Sequence, residues 1–89
     1  MTENFRWELR AMYKILIVDD EKIERNGIRM LLNSLGYSFE IAEANNGQTA
    51  YDLMSGNEFD IVLTDIKMPF MNGIELIKKC RDNVRSRNL

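Results

Sequence analysis

Asp60-Ile-Val-Leu-Thr-Asp-Ile-Lys-Met-Pro-Phe-Met-Asn-Gly73 sets a short apolar run, Ile61 to Thr64, directly before a carboxylate, Asp65. It then breaks into Met68-Pro69 and Asn72-Gly73, residues that turn a chain. The same arrangement stands upstream, where Lys14-Ile-Leu-Ile-Val-Asp-Asp-Glu21 closes its apolar run with Asp19 and Asp20. Two predicted strands therefore end in carboxylates. Ligands of open parallel sheets bind beyond the carboxyl ends of the strands, and neighbouring strands lie about 4.8 Å apart, so carboxylates placed there can share one cation.

Working outward, Tyr13 to Val18 is apolar apart from Lys14, which suits a strand buried on both faces. A helix follows. Ile23, Gly27, Ile28, Leu31, Leu32 and Leu35 are expected on its inner face, Lys22, Arg25, Arg29 and Asn33 on its outer face, and Gly36 is the stop signal. Phe39 to Ala44 reads as a second strand, Asn46-Gly47 as a turn or cap, and Gln48 to Ser55 as a short helix with Ala50, Leu53 and Met54 toward the sheet. Phe59 to Thr64 is the third strand. A helix from Ile74 to Arg81 closes the pattern, with Ile74, Ile77 and Cys80 expected inward and residues 82–89 read as a frayed tail.

This β-α-β-α-β-α alternation is an α/β class with parallel strands and right-handed crossovers. A flavodoxin-like winding gives strand order 2-1-3, which makes strands 1 and 3 neighbours and sets Asp20 and Asp65 beside one crevice. The chain of 89 residues allows one domain with a modest core. Residues 1–12 read as an N-terminal extension, with a packing arm built on Trp7 as the alternative; residues 13–81 hold the three βα units, an incomplete (βα)3 version of the fold.

Composition narrows the functional classes. An apolar fraction of 45% beside 29% charged residues is that of a soluble globular protein, and a single Pro with 5 Gly argues against low complexity. The one cysteine, Cys80, permits no internal disulfide, which fits a reducing cytoplasm. No stretch has the continuous apolar length of a signal sequence or membrane span. Lys78, Lys79, Arg81, Arg85 and Arg87 stand against Asp82 alone, but basic residues toward a helix C-terminus suit its dipole, so direct nucleic-acid binding is not expected.

Close carboxylates repel one another unless a cation lies between them. Oxygen ligands without His or Cys select a hard ion, and a small site that keeps several waters suits Mg²⁺ better than Zn²⁺. The plainer role for Asp19 or Asp20 is to cap the next helix, a reading that serves for one acidic residue and not for the whole set.

With these residues in view, the chain resembles the receiver domain of two-component response regulators. The matching text is Lys14 to Glu21, Ala44-Asn-Asn-Gly47 and Asp60 to Gly73. The wording Thr64-Asp-Ile-Lys-Met-Pro69 is similar to that of receivers preceding AraC-type DNA-binding domains. The resemblance implies that Asp65 is the phosphoacceptor, taking a phosphoryl group from a sensor histidine kinase. It implies that Mg²⁺ is held by Asp20 directly, by Asp19 largely through water, by Asp65, and by the backbone carbonyl of Lys67. Pro69 and Gly73 would shape the loop beyond the nucleophile, and Met68, Phe70 and Met71 are expected to pack.

Receivers of this family add a fourth strand ending in Ser or Thr and a fifth ending in Lys, and residues for these are not in the chain. Impaired phosphoryl transfer is expected. The third strand then becomes a sheet edge, through which a homodimer is expected. The alternative function is a kinase-binding or self-associating module that is never phosphorylated. An enzyme with an aspartyl nucleophile usually wants an acid two residues further on; Lys67 stands there, so the chain is not read as an enzyme.

Overall fold

The computed structural model describes residues 12–88. The N-terminal segment ahead of Met12, Trp7 included, lies outside the described residues. Three strands, β1 (Tyr13–Val18), β2 (Phe39–Ala44) and β3 (Ile61–Thr64), alternate with α1 (Lys22–Ser34), α2 (Gly47–Gly56) and α3 (Gly73–Asn88). The strands form one parallel sheet in the order β2-β1-β3, as the alternation predicts.

β1 is central, which is why Ile15, Leu16, Ile17 and Val18 are all buried. On one face Leu16 and Val18 join Ala44, Ala50 of α2, Leu76 of α3 and Met68 in a single core. Ile15 and Ile17, on the other face, are buried as well. β3 is two residues shorter than expected: before it, the Asp60 N–H donates to the Lys14 carbonyl at 2.8 Å while the Asp60 carboxylate accepts from the Lys14 N–H at 2.8 Å. That exchange ties down the start of β3 without extending it.

Two helix faces differ from the sequence expectation. In α1 the half-buried residues are Arg25, Ile28, Arg29 and Leu32, while Ile23 is 84% exposed and Leu31 and Leu35 face solvent. The cause is Glu43, which shares the inner face with Ile17 across the β1–β2 register. Arg25 and Arg29 both reach it, at 3.0 Å and 2.5 Å, with side chains 13% and 39% exposed. In α3 the inward residues are Leu76, fully buried, and half-buried Cys80, whereas Ile74 and Ile77 are 52% and 46% exposed. Gly73 fixes that phase by lying against the strand end, so positions three and seven residues on turn inward.

The caps follow their residues. Asn46 accepts the Thr49 N–H at 2.8 Å, and Asn72 and Glu75 exchange bonds across the first turn of α3. Gly36, at φ 79°, ends α1 in the left-handed region, where a side chain is disfavoured. α3 continues to Asn88, past Arg81, because no Gly or Pro interrupts it there. No helix of the described residues is long and apolar enough to cross a membrane.

Candidate acidic cation site

The site forms where β1 and β3 end side by side. The Asp65 N–H donates to the Val18 carbonyl at 2.9 Å, and the Asp19 N–H donates to Ala44 of β2 at 3.1 Å, so both acidic residues continue the ladder just past their strands. Asp19 is only 5% exposed, and one of its carboxylate oxygens accepts the Glu21 N–H at 2.9 Å. Asp65 is half-buried and accepts the Lys67 N–H at 3.3 Å. Asp20 faces solvent. Neither aspartate caps α1, whose N-cap is Glu21 without a side-chain bond.

A third carboxylate joins Asp19 and Asp65. Glu24, in the first turn of α1, brings an oxygen to the pair such that the three ligand atoms lie within 4.8 Å of one another. Its carboxyl is pushed up to about 7, first by its hydrogen bond to Asp19 and then by the negative charge of Asp19. Desolvation and the charges of Glu21 and Asp65 add smaller contributions. The sequence reading missed Glu24, because a lone Glu in a helix carries no pattern; only its place in the first turn of the helix that follows Asp19 could have pointed to it.

Arg25 and Arg29 both pair with Glu43. Arg25 also donates to the Asp19 carbonyl at 2.7 Å, which fixes the backbone of the strand end rather than pairing with the carboxylate. The donor set is thus all oxygen, partly desolvated and, among the described residues, without an ion-paired Lys or Arg, which fits a hard divalent cation.

The β3–α3 loop walls the site. Gly73 is buried and its N–H donates to the Ile66 carbonyl at 3.0 Å; Met68 is buried in the core. Phe70, expected to pack, is fully exposed at φ 68°, because the turn between Pro69 and Met71 needs a left-handed residue at that position. A hollow of about 600 Å³ between Asn45–Gln48 and Pro69–Met71 lies next to this loop and excludes the three carboxylates.

The family model of the response regulator receiver domain matches residues 15–87. Among curated proteins, the uncharacterized transcriptional regulatory protein YesN of Bacillus subtilis is 49% identical over 70 residues, 76% of this chain and 19% of its own. The chemotaxis protein CheY of Pseudomonas aeruginosa is 42% identical over 76 residues, 85% of this chain and 60% of its own. Among solved structures, the response regulator protein TrrA of Thermotoga maritima, in complex with Mg²⁺-BeF, superposes with a TM-score of 0.74 at 35% identity, over 81% of this chain and 61% of that one. The chain therefore spans less than two thirds of the length of these relatives.

Proposed function

Because the chain belongs to the response regulator receiver family, we propose that it is a phosphoacceptor of a two-component phosphorelay, taking a phosphoryl group on Asp65 from a sensor histidine kinase in the cytoplasm. The observation that supports this most directly is the meeting of Asp19 and Asp65 at the ends of neighbouring strands, with a partly desolvated carboxylate set and no Lys or Arg paired to it among the described residues.

Mg²⁺ would be held by Asp19, Asp20, Asp65 and the Lys67 carbonyl. When bound it would neutralise phosphoryl oxygens and so offset the repulsion that a carboxylate nucleophile meets. The chain's own residues do the positioning. The Asp65 carboxylate attacks phosphorus as the P–N bond to the donor imidazole breaks; the new P–O bond leaves an acyl phosphate, and the imidazole leaves as a neutral ring after taking up a proton. The Lys67 N–H holds one Asp65 oxygen, which orients the other toward the donor. Gly73 keeps the wall of the site close to the nucleophile. The chain acts here as acceptor and not as an enzyme that turns over.

Beryllofluoride tests the acceptor reading, since it mimics a phosphoryl group on a carboxylate. A bound ¹⁹F signal that requires both Mg²⁺ and Asp65, and is absent in Asp65→Asn, is the expected result; a signal unchanged in Asp65→Asn overturns it.

A second reading, self-association without phosphorylation, is favoured by the β3 edge, unpaired among the described residues, where Ile61 and Leu63 are exposed. Unpaired strand edges with apolar side chains pair readily with a second copy. Sedimentation should then show a dimer in the wild type and a monomer in Leu63→Lys; a wild-type monomer removes this reading.

A further inference from the structure

We propose that residues 5–9 add an antiparallel strand to the edge of β3 that is unpaired among the described residues, so that a segment of the chain itself covers the surface a second copy would otherwise use. In the sequence Phe5, Trp7, Leu9 and Ala11 alternate with Arg6, Glu8 and Arg10. Strict alternation of apolar and polar residues is the pattern of a strand with one face buried and the other in water.

The edge has the complementary character. Ile61 and Leu63 lie across the β1–β3 register from Ile15 and Ile17. Those β1 residues are buried, yet Ile61 and Leu63 are 41% and 37% exposed. The Asp65 N–H donates to the Val18 carbonyl, so by the alternation of a strand Leu63 turns its main-chain groups to β1, while Val62 and Thr64 turn theirs to the outer edge. The β2 edge offers less: its exposed residue is the charged Glu40, and the Glu43 carboxylate is held by Arg25 and Arg29.

The length of the segment and the point where it joins the sheet suit this occupant. It enters at Tyr13, the start of β1, and the position beyond β3 is two strand spacings, about 10 Å, from β1. Residues 10–12, extended, span about that distance. Residues 5–9 then run beside the four residues of β3. Because β3 is parallel to β1, a strand that turns from this edge into the start of β1 is antiparallel to β3, an arrangement common at the edges of parallel sheets. Phe59 brings the chain into β3 on the core side, with α2, so a crossing under the Ile61 and Leu63 face keeps clear of that connection. Phe5, Trp7 and Leu9 are then placed beside Ile61 and Leu63, and Arg10 arrives where Glu58 and Asp60 are exposed ahead of β3. The segment and a second copy exclude one another at this edge, so docking keeps the chain monomeric.

Trp7 is the only tryptophan, so the fluorescence of the full chain reports this segment alone. Docking predicts emission to the blue of that in denaturant, and weak quenching by acrylamide, in samples that sedimentation shows to be monomeric. Leu63→Lys should lose both while circular dichroism keeps its folded spectrum. Amide exchange supplies a measurement independent of that variant. Val62 and Thr64 should exchange about tenfold or more slowly in the wild type than in the Phe5→Ser, Trp7→Ser double variant, whose substitutions leave every described core residue in place. Trp7 emission equal to that of the denatured chain overturns the inference, as does blue emission retained in a folded Leu63→Lys or equal exchange in the wild type and the double variant. Burial of Trp7 only in a dimer that forms with rising concentration also overturns it and gives the edge to a second copy.

Discussion

Gly73 lies so close to Asp65 that a Cβ placed on it would sit 2.4 Å from the Asp65 carbonyl oxygen and 3.2 Å from the Ile66 Cα. The start of α3 is thereby pressed against the backbone of the candidate nucleophile. Both obstructing groups are main chain and cannot rotate aside. Gly73→Ala should therefore lower stability by about 1 to 3 kcal/mol through overpacking, measured by urea denaturation. It should also impair modification of Asp65 in the fraction that remains folded.

Leu76 and Ile77 test the phase that this contact gives α3. Leu76 is fully buried and Ile77 is 46% exposed. Leu76→Ala should cost about 2 to 5 kcal/mol, enough to unfold much of a small domain, whereas Ile77→Ala should stay below about 1 kcal/mol. Equal costs in thermal unfolding would contradict the helix orientation.

Phe70 holds a left-handed backbone that costs a β-carbon-bearing residue about 1 to 2 kcal/mol, and its exposed ring returns no packing. Asn tolerates this conformation through its short polar side chain. Phe70→Asn should raise stability by about 0.5 to 1 kcal/mol, seen as a higher urea midpoint at an unchanged slope.

Glu43 gives the fold an acid dependence. Hydrogen bonding from Arg29 holds its carboxyl below the ordinary value of 4.5, opposed by desolvation and aided by the Arg25 bond and both positive charges. A carboxyl whose folded value is lowered stabilises the fold above its ordinary value, and that contribution is lost as pH falls through the lowered one. The Arg29 side chain is 39% exposed, so solvent screens the pair, which is worth about 0.2 to 1 kcal/mol. Glu43→Gln should be less stable than wild type by that amount at pH 7, and the two should converge in acid.

The backbone course was legible because its signals are local. The β1 run, the Asn46-Gly47 cap and the Gly36 stop each act within a few residues, and the sheet order followed from the alternation. The faces of α1 and α3 were not legible, because contacts distant in sequence decide them: Glu43 on β2 draws Arg25 and Arg29 inward, and the Asp65 backbone fixes Gly73. The same holds at the site. Asp19 and Asp65 could be read from strand ends, while Glu24 enters only when the start of α1 is folded over them.

Intact mass after incubation with acetyl phosphate and Mg²⁺ tests the central claim most directly. The account predicts one phosphoryl adduct in the wild type and none in Asp65→Asn. A wild-type chain that is folded by circular dichroism yet carries no adduct, or an adduct that survives in Asp65→Asn, would contradict it.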